Sequence, residues 1–595
     1  MNYRTKKIIR RDLPEDAARI SRGFPDHIPS LIQRLFMQRG VYDSQELDLS
    51  LNNLAPPVDL LGVAKATALL VEMVETSGKV LIVGDYDTDG ATSTALAVCA
   101  LRSMGLNDVA YLVPNRFEFG YGLSPKLVEL AAQSSPDLIV TVDNGIASVS
   151  GVYRAKQLGI RVLVTDHHLP GDVLPEADAI VNPNQQGCGF VSKNAAGVAV
   201  IFYVMCALRS ELRNRGWFAA RHIATPNMAN LLDLVALGTV ADVVKLDYNN
   251  RVLVTRGIER IRAGKARPGI MVLLKLAGKD YRRVVASDLG FSVGPRLNAA
   301  GRLDDIAVGV ECLLADDWSQ AETYANVLNS FNEDRKQLEQ DMLALANTAI
   351  ENLQDSNSVP WGITLFNAEF HQGVTGLVAS RVKDRLNHPV VVFAEAEERG
   401  QLKGSCRSIP GLHIRDVLDR VATSRPGVII KFGGHAMAAG LTIQYSSLSD
   451  FSRCFDQVVR TMIQEVDLQP IILTDGELTA DQFSLQLAEQ IRNAAPWGQG
   501  FPEPLFDGVF LVESHRVVGF RHLKLTLRPV LGSTTQVQEN SVLPLVDAIQ
   551  FGSPWVSQDI PRTVRAAFKL DANYFRGKSS LQLLIDYLEP CQKLL

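Results

Sequence analysis

VLIVGDYDTDG, residues 80–90, packs a strand, an acidic turn and the entry to a helix into one short run. Its first four residues are apolar and mostly β-branched, too few for a buried helix and suited to a buried strand. Carboxylates then alternate at Asp85, Asp87 and Asp89, and Gly90 lets the backbone turn into the next element. Residues 92–104 read as a helix, and so do residues 64–75 upstream. Further on come a second apolar strand at 138–142, a helix over 149–158 and a third strand at 162–165. Short apolar strands alternating with helices predict βαβ units and a parallel sheet. Each of these strands ends in carboxylates or histidines, and the carboxyl ends of its strands are where an open α/β sheet binds its ligand.

The pattern divides the chain. Residues 1–60 form an N-terminal extension, helical in places, and residues 61–315 hold the acidic strand ends. Residues 316–355 contain neither proline nor glycine and carry apolar positions at helical spacing. They predict one long connecting helix of roughly 55 Å. A second α/β lobe follows over 356–465, with strands at 363–366 and 390–393. From 466 to 595 the chain turns β-rich, and short strands at 505–511, 515–518, 522–527, 564–570 and 580–588 suit a small barrel such as an OB-fold. The fold class is therefore α/β: two α/β lobes joined by a long helix, plus a C-terminal OB-fold-like β-barrel.

Composition narrows the function classes. The 595 residues are 46% hydrophobic and 21% charged, which fits several well-supplied cores. The net charge of −5 is not the basic profile of a typical nucleic-acid binder, but only the local field attracts a phosphate backbone. Seven cysteines are scattered without a Cys-x-x-Cys pair, which predicts reduced thiols rather than a disulfide framework or zinc ribbon. The basic N-terminus runs into Asp12, Pro14, Glu15 and Asp16 instead of an apolar core, so no signal peptide is expected. The longest apolar run, 195–208, is too short to span a bilayer and reads as a buried helix. A cytoplasmic protein, away from membranes, is expected.

The chemistry sits in four places: Asp85-Tyr-Asp87-Thr-Asp89, Asp143-Asn144-Gly145, Asp166-His167-His168, and Gly238-Thr-Val-Ala-Asp242. Singly, each has an ordinary reading as a turn, a surface pair or a helix cap. An EF-hand loop is excluded because the strand precedes it and position 96 is Leu96 rather than glutamate. Together, carboxylates and imidazole suit Mn²⁺ or Mg²⁺. Two such ions about 3.5–4 Å apart are the usual device for phosphodiester cleavage.

In this order, the four clusters resemble motifs I to IV of the DHH phosphoesterases, and the third gives that family its name. The resemblance implies that Asp85, Asp87, Asp89, Asp143, His167 and Asp242 ligate two Mn²⁺ or Mg²⁺ ions, with Asp143 bridging them. It implies that His168 lies near the scissile phosphate, and that Asp166 orients its neighbours. One departure stands out: Val83 occupies a position where many relatives have histidine. Either one ion lacks a nitrogen ligand or Asp85 replaces it.

Within that superfamily the chain is similar to the RecJ-type exonucleases. The signatures are residues 114–122, PNRFEFGYG, residues 294–303, GPRLNAAGRL, and the second-lobe segments GSCRS at 404–408 and GGHAMAAG at 433–440. By this resemblance Arg116, Asn298, Arg302, Ser405, Arg407 and His435 contact substrate, with the arginines and Ser405 gripping a 5′-phosphate. Arginine suits that role through its planar fork. In the barrel, Phe506, Phe510, Phe520, Phe568, Tyr574 and Phe575 are candidates to stack bases, with core packing claiming most of them. Arg516, Arg521, Lys524 and Arg528 are candidates to follow phosphates.

The implied activity is 5′→3′ hydrolysis of single-stranded DNA to 5′-mononucleotides in repair and recombination. A monomer is expected, working beside a helicase and a single-strand-binding protein. The rival enzymatic reading is a DHH phosphodiesterase acting on oligoribonucleotides or cyclic dinucleotides; chain length and the barrel argue against it. The non-enzymatic rival, a strand-binding relative with a decayed metal site, is opposed by the full set of acidic and histidine positions.

Overall fold

The computed structural model describes residues 6–115, 119, 121–355, 359–530, 544–557, 559–575 and 577–591. In the first lobe five parallel strands run in the order Val109–Leu112, Val80–Val83, Leu138–Val142, Arg161–Thr165 and Ala179–Val181. The chain leaves Val80–Val83 toward one edge and returns to its other side, so the order reverses between Val80–Val83 and Leu138–Val142. A crevice opens at the carboxyl ends of two strands where the order reverses. Asp85 and Asp143 follow those two ends.

The strands are buried on both faces, as a parallel sheet covered by helices requires. Val80, Ile82, Leu138 and Val140 pack beneath helices Val63–Thr76, Thr88–Ser103 and Gly197–Asn214. Leu81, Val83 and Ile139 face Pro125–Ala132 and Val149–Gln157. The apolar run 195–208 is thus a core helix. No single helix among the described residues is long and apolar enough to cross a membrane.

Helix Trp318–Asp355 carries the chain to the second lobe. That lobe has a mixed sheet in the order Lys431–Gly434, Ala438–Gln444, Gln401–Arg407, Val390–Glu395, Ile363–Phe366. Helix Thr375–Leu386 lies against its middle strands.

The C-terminal strands Phe506–Val518, His522–Val530, Val546–Gln550, Lys578–Pro590 and Thr563–Phe575 close into a barrel. Strand Val546–Gln550 is absent from the sequence reading, while 505–511 and 515–518 are one strand with a bulge between Val512 and Ser514. Phe506, Phe510 and Phe568 fill the barrel core, and Tyr574 donates to Glu489. Phe520, 98% exposed at a hairpin tip, faces solvent.

The N-terminal segment is stitched to this region. Strand Lys7–Arg10 pairs in parallel with Ile471–Thr474, and Arg10 and Arg565 both bond the buried Asp507.

Candidate active site

The acidic turn owes its shape to helix Thr88–Ser103. Asp87 caps that helix by accepting from the Gly90 N–H at 3.0 Å. A Cβ on Gly90 would lie 2.3 Å from the Asp85 carbonyl oxygen, so only glycine lets the turn close. Asp89 accepts from the backbone N–H groups of Gly197 and Val198, at 2.6 and 2.9 Å, at the start of helix Gly197–Asn214. A helix N-terminus is a natural seat for a carboxylate.

Asp143 sits in the left-handed region, at φ 63°, which aspartate tolerates better than most residues. Gly197 crowds it so closely that a Cβ there would fall 2.6 Å from the Asp143 Cβ. Asn144 holds the loop by donating to the carbonyls of Val83 and Val142. Asp166 is fully engaged: it accepts from the N–H groups of His167, His168 and Ile146 and from His168 Nδ1 at 2.8 Å. Burial alone would raise its pKa, but the His168 and Ile146 hydrogen bonds hold it below the usual carboxylate value. These hydrogen bonds tie Asp166 to both histidines.

His167 Nε2 lies 3.1 Å from Asp143 Oδ1, 3.6 Å from Asp242 Oδ2 and 4.0 Å from Asp89 Oδ2. Ligand atoms of Asp85, Asp87 and Asp143 fall within 4.8 Å of one another. The same holds for Asp89, His167 and Asp242, and for Asp143, His167 and His168. Asp85 Oδ1, Asp143 Oδ1, His167 Nε2 and Asp242 Oδ2 are all buried without a hydrogen-bond partner among the described residues. Buried polar atoms are rarely orphaned, and these four fall within ligand groups of the size a divalent cation needs.

The electrostatics agree. Burial and then the neighbouring carboxylates push Asp85 and Asp143 well above the carboxylate range, and raise Asp89 and Asp242 to about 7. Burial, then His168, lowers His167 and keeps it the neutral ligand that a metal needs. His168 is opposed by burial, yet its Asp166 hydrogen bond and charge raise it to about 9. It faces the cleft as an imidazolium.

The second lobe supplies the opposite wall. The His435 ring lies 6.5 Å from that of His168, nearly parallel to it. A cavity of about 380 Å³ extends from here, with Tyr86 and Tyr121 on the catalytic side and Thr375, Ser405 and Gly440 on the other. Ser405 Oγ lies 2.9 Å from Thr375 Oγ1. Arg407 is pinned against helix Thr375–Leu386, donating to Ser380 Oγ and to its neighbour's carbonyl.

Two expected substrate residues also do structural work. Asn298 Oδ1 accepts from Thr88 N–H and Oγ1, and Arg302 donates to the Gly373 carbonyl across the lobe boundary. Arg116 lies outside the described residues. Tyr121, whose hydroxyl is 3.1 Å from His168 Nδ1, was not singled out in the sequence, although it belongs to the same glycine-flanked signature as Arg116.

Three family models match the chain: the DHH family N-terminal domain over residues 79–239, the DHHA1 domain over 360–461 and the RecJ OB domain over 474–587. The single-stranded-DNA-specific exonuclease RecJ of Escherichia coli is 50% identical over 588 residues, covering 98% of this chain and 99% of the relative. Its namesake in Haemophilus influenzae is 49% identical over 591 residues, again covering 98% and 99%. The crystal structure of Thermus thermophilus RecJ with Mn²⁺ superposes with a TM-score of 0.79 at 26% identity, covering all of this chain and 81% of that one. A Mg²⁺ complex of the same protein covers 98% of this chain and 78% of that one, at 24% identity and a TM-score of 0.73. With an acidic crevice at the strand reversal, a second lobe facing it and a C-terminal barrel, the chain belongs to the RecJ family.

Proposed function

We propose that this chain is a metal-dependent exonuclease that hydrolyses single-stranded DNA from the 5′ end to 5′-mononucleotides, in cytoplasmic DNA repair and recombination. The observation that carries this is the set of orphaned acceptor atoms converging between two strand ends, with Asp143 common to two of the ligand groups. Asp85, Asp87 and Asp143 would hold one Mn²⁺ or Mg²⁺, and Asp89, His167 and Asp242, sharing Asp143, the other. This partition accounts for Val83: the all-carboxylate group needs no nitrogen. When bound, such a pair supplies Lewis acidity and a nucleophile at neutral pH.

The remaining work falls to the protein's own residues. His168, fixed by Asp166, stabilises charge gathering on the scissile phosphate. Ser405 and Arg407 hold the terminal phosphate on the facing lobe. The terminal nucleotide then lies between Tyr86 and Tyr121 and the floor of the second sheet. A monomer suffices, with a helicase and a single-strand-binding protein presenting the strand.

A time course on single-stranded DNA with Mn²⁺ tests the reading, using strands labelled at either end. The 5′ label should leave at once as a mononucleotide while the 3′-labelled strand shortens gradually. Long strands left intact beside rapid hydrolysis of dinucleotides would assign the chain to the oligoribonuclease side of the superfamily.

The carboxylate pKa values add a pH dependence. Asp89 and Asp242 at about 7 in the folded, metal-free chain stand against about 3.9 when unfolded. Between those values the folded state binds more protons, so metal-free stability falls as pH rises from about 4 to about 7. Metal binding needs these groups ionised. The increase in Tm caused by Mn²⁺ should therefore be small near pH 5 and grow toward about pH 8. Melts showing an increment flat across that range would place the metal elsewhere.

A further inference from the structure

The cavity between the lobes does not end at Ser405. In the second sheet Ser405 pairs with Gly440, which pairs with Gly433. The next row outward on the same face is Lys403, Thr442 and Lys431. All six residues line the cavity. Directly paired residues share a face, and two residues along a strand span about 7 Å. The lysine row thus lies about two linked phosphate groups farther from the metal ligands than Ser405, because the Arg407 and His435 end of the sheet is the one that faces His168.

The glycine row leaves the floor bare. A Cβ on Gly433 would meet nothing within 4 Å, and one on Gly440 only the Gly404 carbonyl at 3.8 Å. Beyond this floor, neither Lys403 nor Lys431 has a hydrogen-bond or ion-pair partner for its ammonium among the described residues. Thr442 places a hydroxyl between them. An unobstructed path from the terminal-phosphate hydroxyls to two uncompensated point charges is suited to more phosphate, since lysine binds it as a compact cation.

Resting on the function proposed above, we infer that Lys403, Thr442 and Lys431 form a subsite for the outer phosphates of a 5′-triphosphate, so that the enzyme accepts strands bearing an unprocessed 5′ end. In the first turnover the water oxygen bonds to the phosphorus of the second nucleotide. The bond from that phosphorus to the first 3′-oxygen breaks, and the 3′-oxygen takes a proton. The first product is a nucleoside 5′-triphosphate, and the shortened strand keeps an ordinary 5′-monophosphate.

The test uses one DNA sequence with a 5′-triphosphate, a 5′-monophosphate or a 5′-hydroxyl, and compares KM and kcat for the wild type and the double variant Lys403→Ala with Lys431→Ala. The wild type should release the first nucleotide of the triphosphate strand as a triphosphate. The variant should raise KM for that strand about tenfold while shifting KM for the monophosphate strand less than about twofold. Charge reversal, Lys403→Glu with Lys431→Glu, should widen the gap. Refusal of the triphosphate strand by a wild type that degrades the monophosphate strand overturns this inference and leaves the exonuclease reading intact. Failure on every strand removes the exonuclease reading itself. Equal losses on both phosphorylated strands in the variant, or release of a dinucleotide first, also overturn the triphosphate subsite.

Discussion

Asp143→Asn should lower kcat on single-stranded DNA by at least about 10³-fold, because it removes the one carboxylate common to two ligand groups. Asparagine is the informative replacement. It is nearly isosteric beside the crowding Gly197 and is at home at φ 63°, so the backbone carries no new strain. It also removes a group that burial and neighbouring carboxylates hold well above its ordinary pKa. The metal-free protein should therefore melt no lower than the wild type, while the Tm increment from Mn²⁺ shrinks. Strand affinity should persist, since Ser405 and Arg407 stand on the facing lobe. Steady-state kinetics, melts with and without Mn²⁺ and a strand-binding titration separate the outcomes. A variant keeping a tenth of wild-type turnover would show that Asp143 is not shared between ions. One that melts lower without metal would show a folding defect instead.

The catalytic lobe was legible because its signals are local. Residues 80–90 encode strand, turn, cap and helix start within one segment, and the strand ends at 143 and 166 carry their functional side chains with them. Asp166, adjacent in sequence to both histidines, accepts from the N–H of each. What stayed hidden depends on register across strands. Nothing in the segments around Lys403 and Lys431 says that both flank Thr442; only the pairing of three strands puts them in one row. The same limit applies to the barrel. Alternating aromatics could not reveal which face is inward until closure placed Phe506, Phe510 and Phe568 in the core and left Phe520 outside. Arg302 and Asn298 read as substrate contacts, and their hydrogen bonds to Gly373 and Thr88 show that they also join elements distant in sequence. Non-local pairing likewise makes residues 7–10 a strand: its partner, 471–474, lies at the far end of the chain.

A buried ion pair sits at the end of that distant pairing, and breaking it should produce the largest loss of stability. The side chains of Arg39 and Asp475 are each 1% exposed and bond in a fork, Nη1 to Oδ1 at 3.0 Å and Nη2 to Oδ2 at 2.9 Å. Asp475→Ala strands the guanidinium with only the carbonyls of Leu35 and Pro502, and should cost about 3–5 kcal/mol. Arg39→Met should cost less, because Asp475 keeps the Leu505 N–H at 2.9 Å and has Arg11 at 3.6 Å. Urea unfolding followed by tryptophan fluorescence measures both, since Trp497 lies against the Arg39 guanidinium. The consequence should reach the catalytic lobe. Gln499, two residues beyond Trp497, accepts from the N–H of Leu246 just after Asp242. Loosening the Asp475 junction therefore frees the chain that fixes Asp242, and kcat should fall even though no residue near the phosphate has changed. Equal losses for the two variants would mean that the pair acts only through its mutual charge, and that the unequal hydrogen bonding around it contributes nothing.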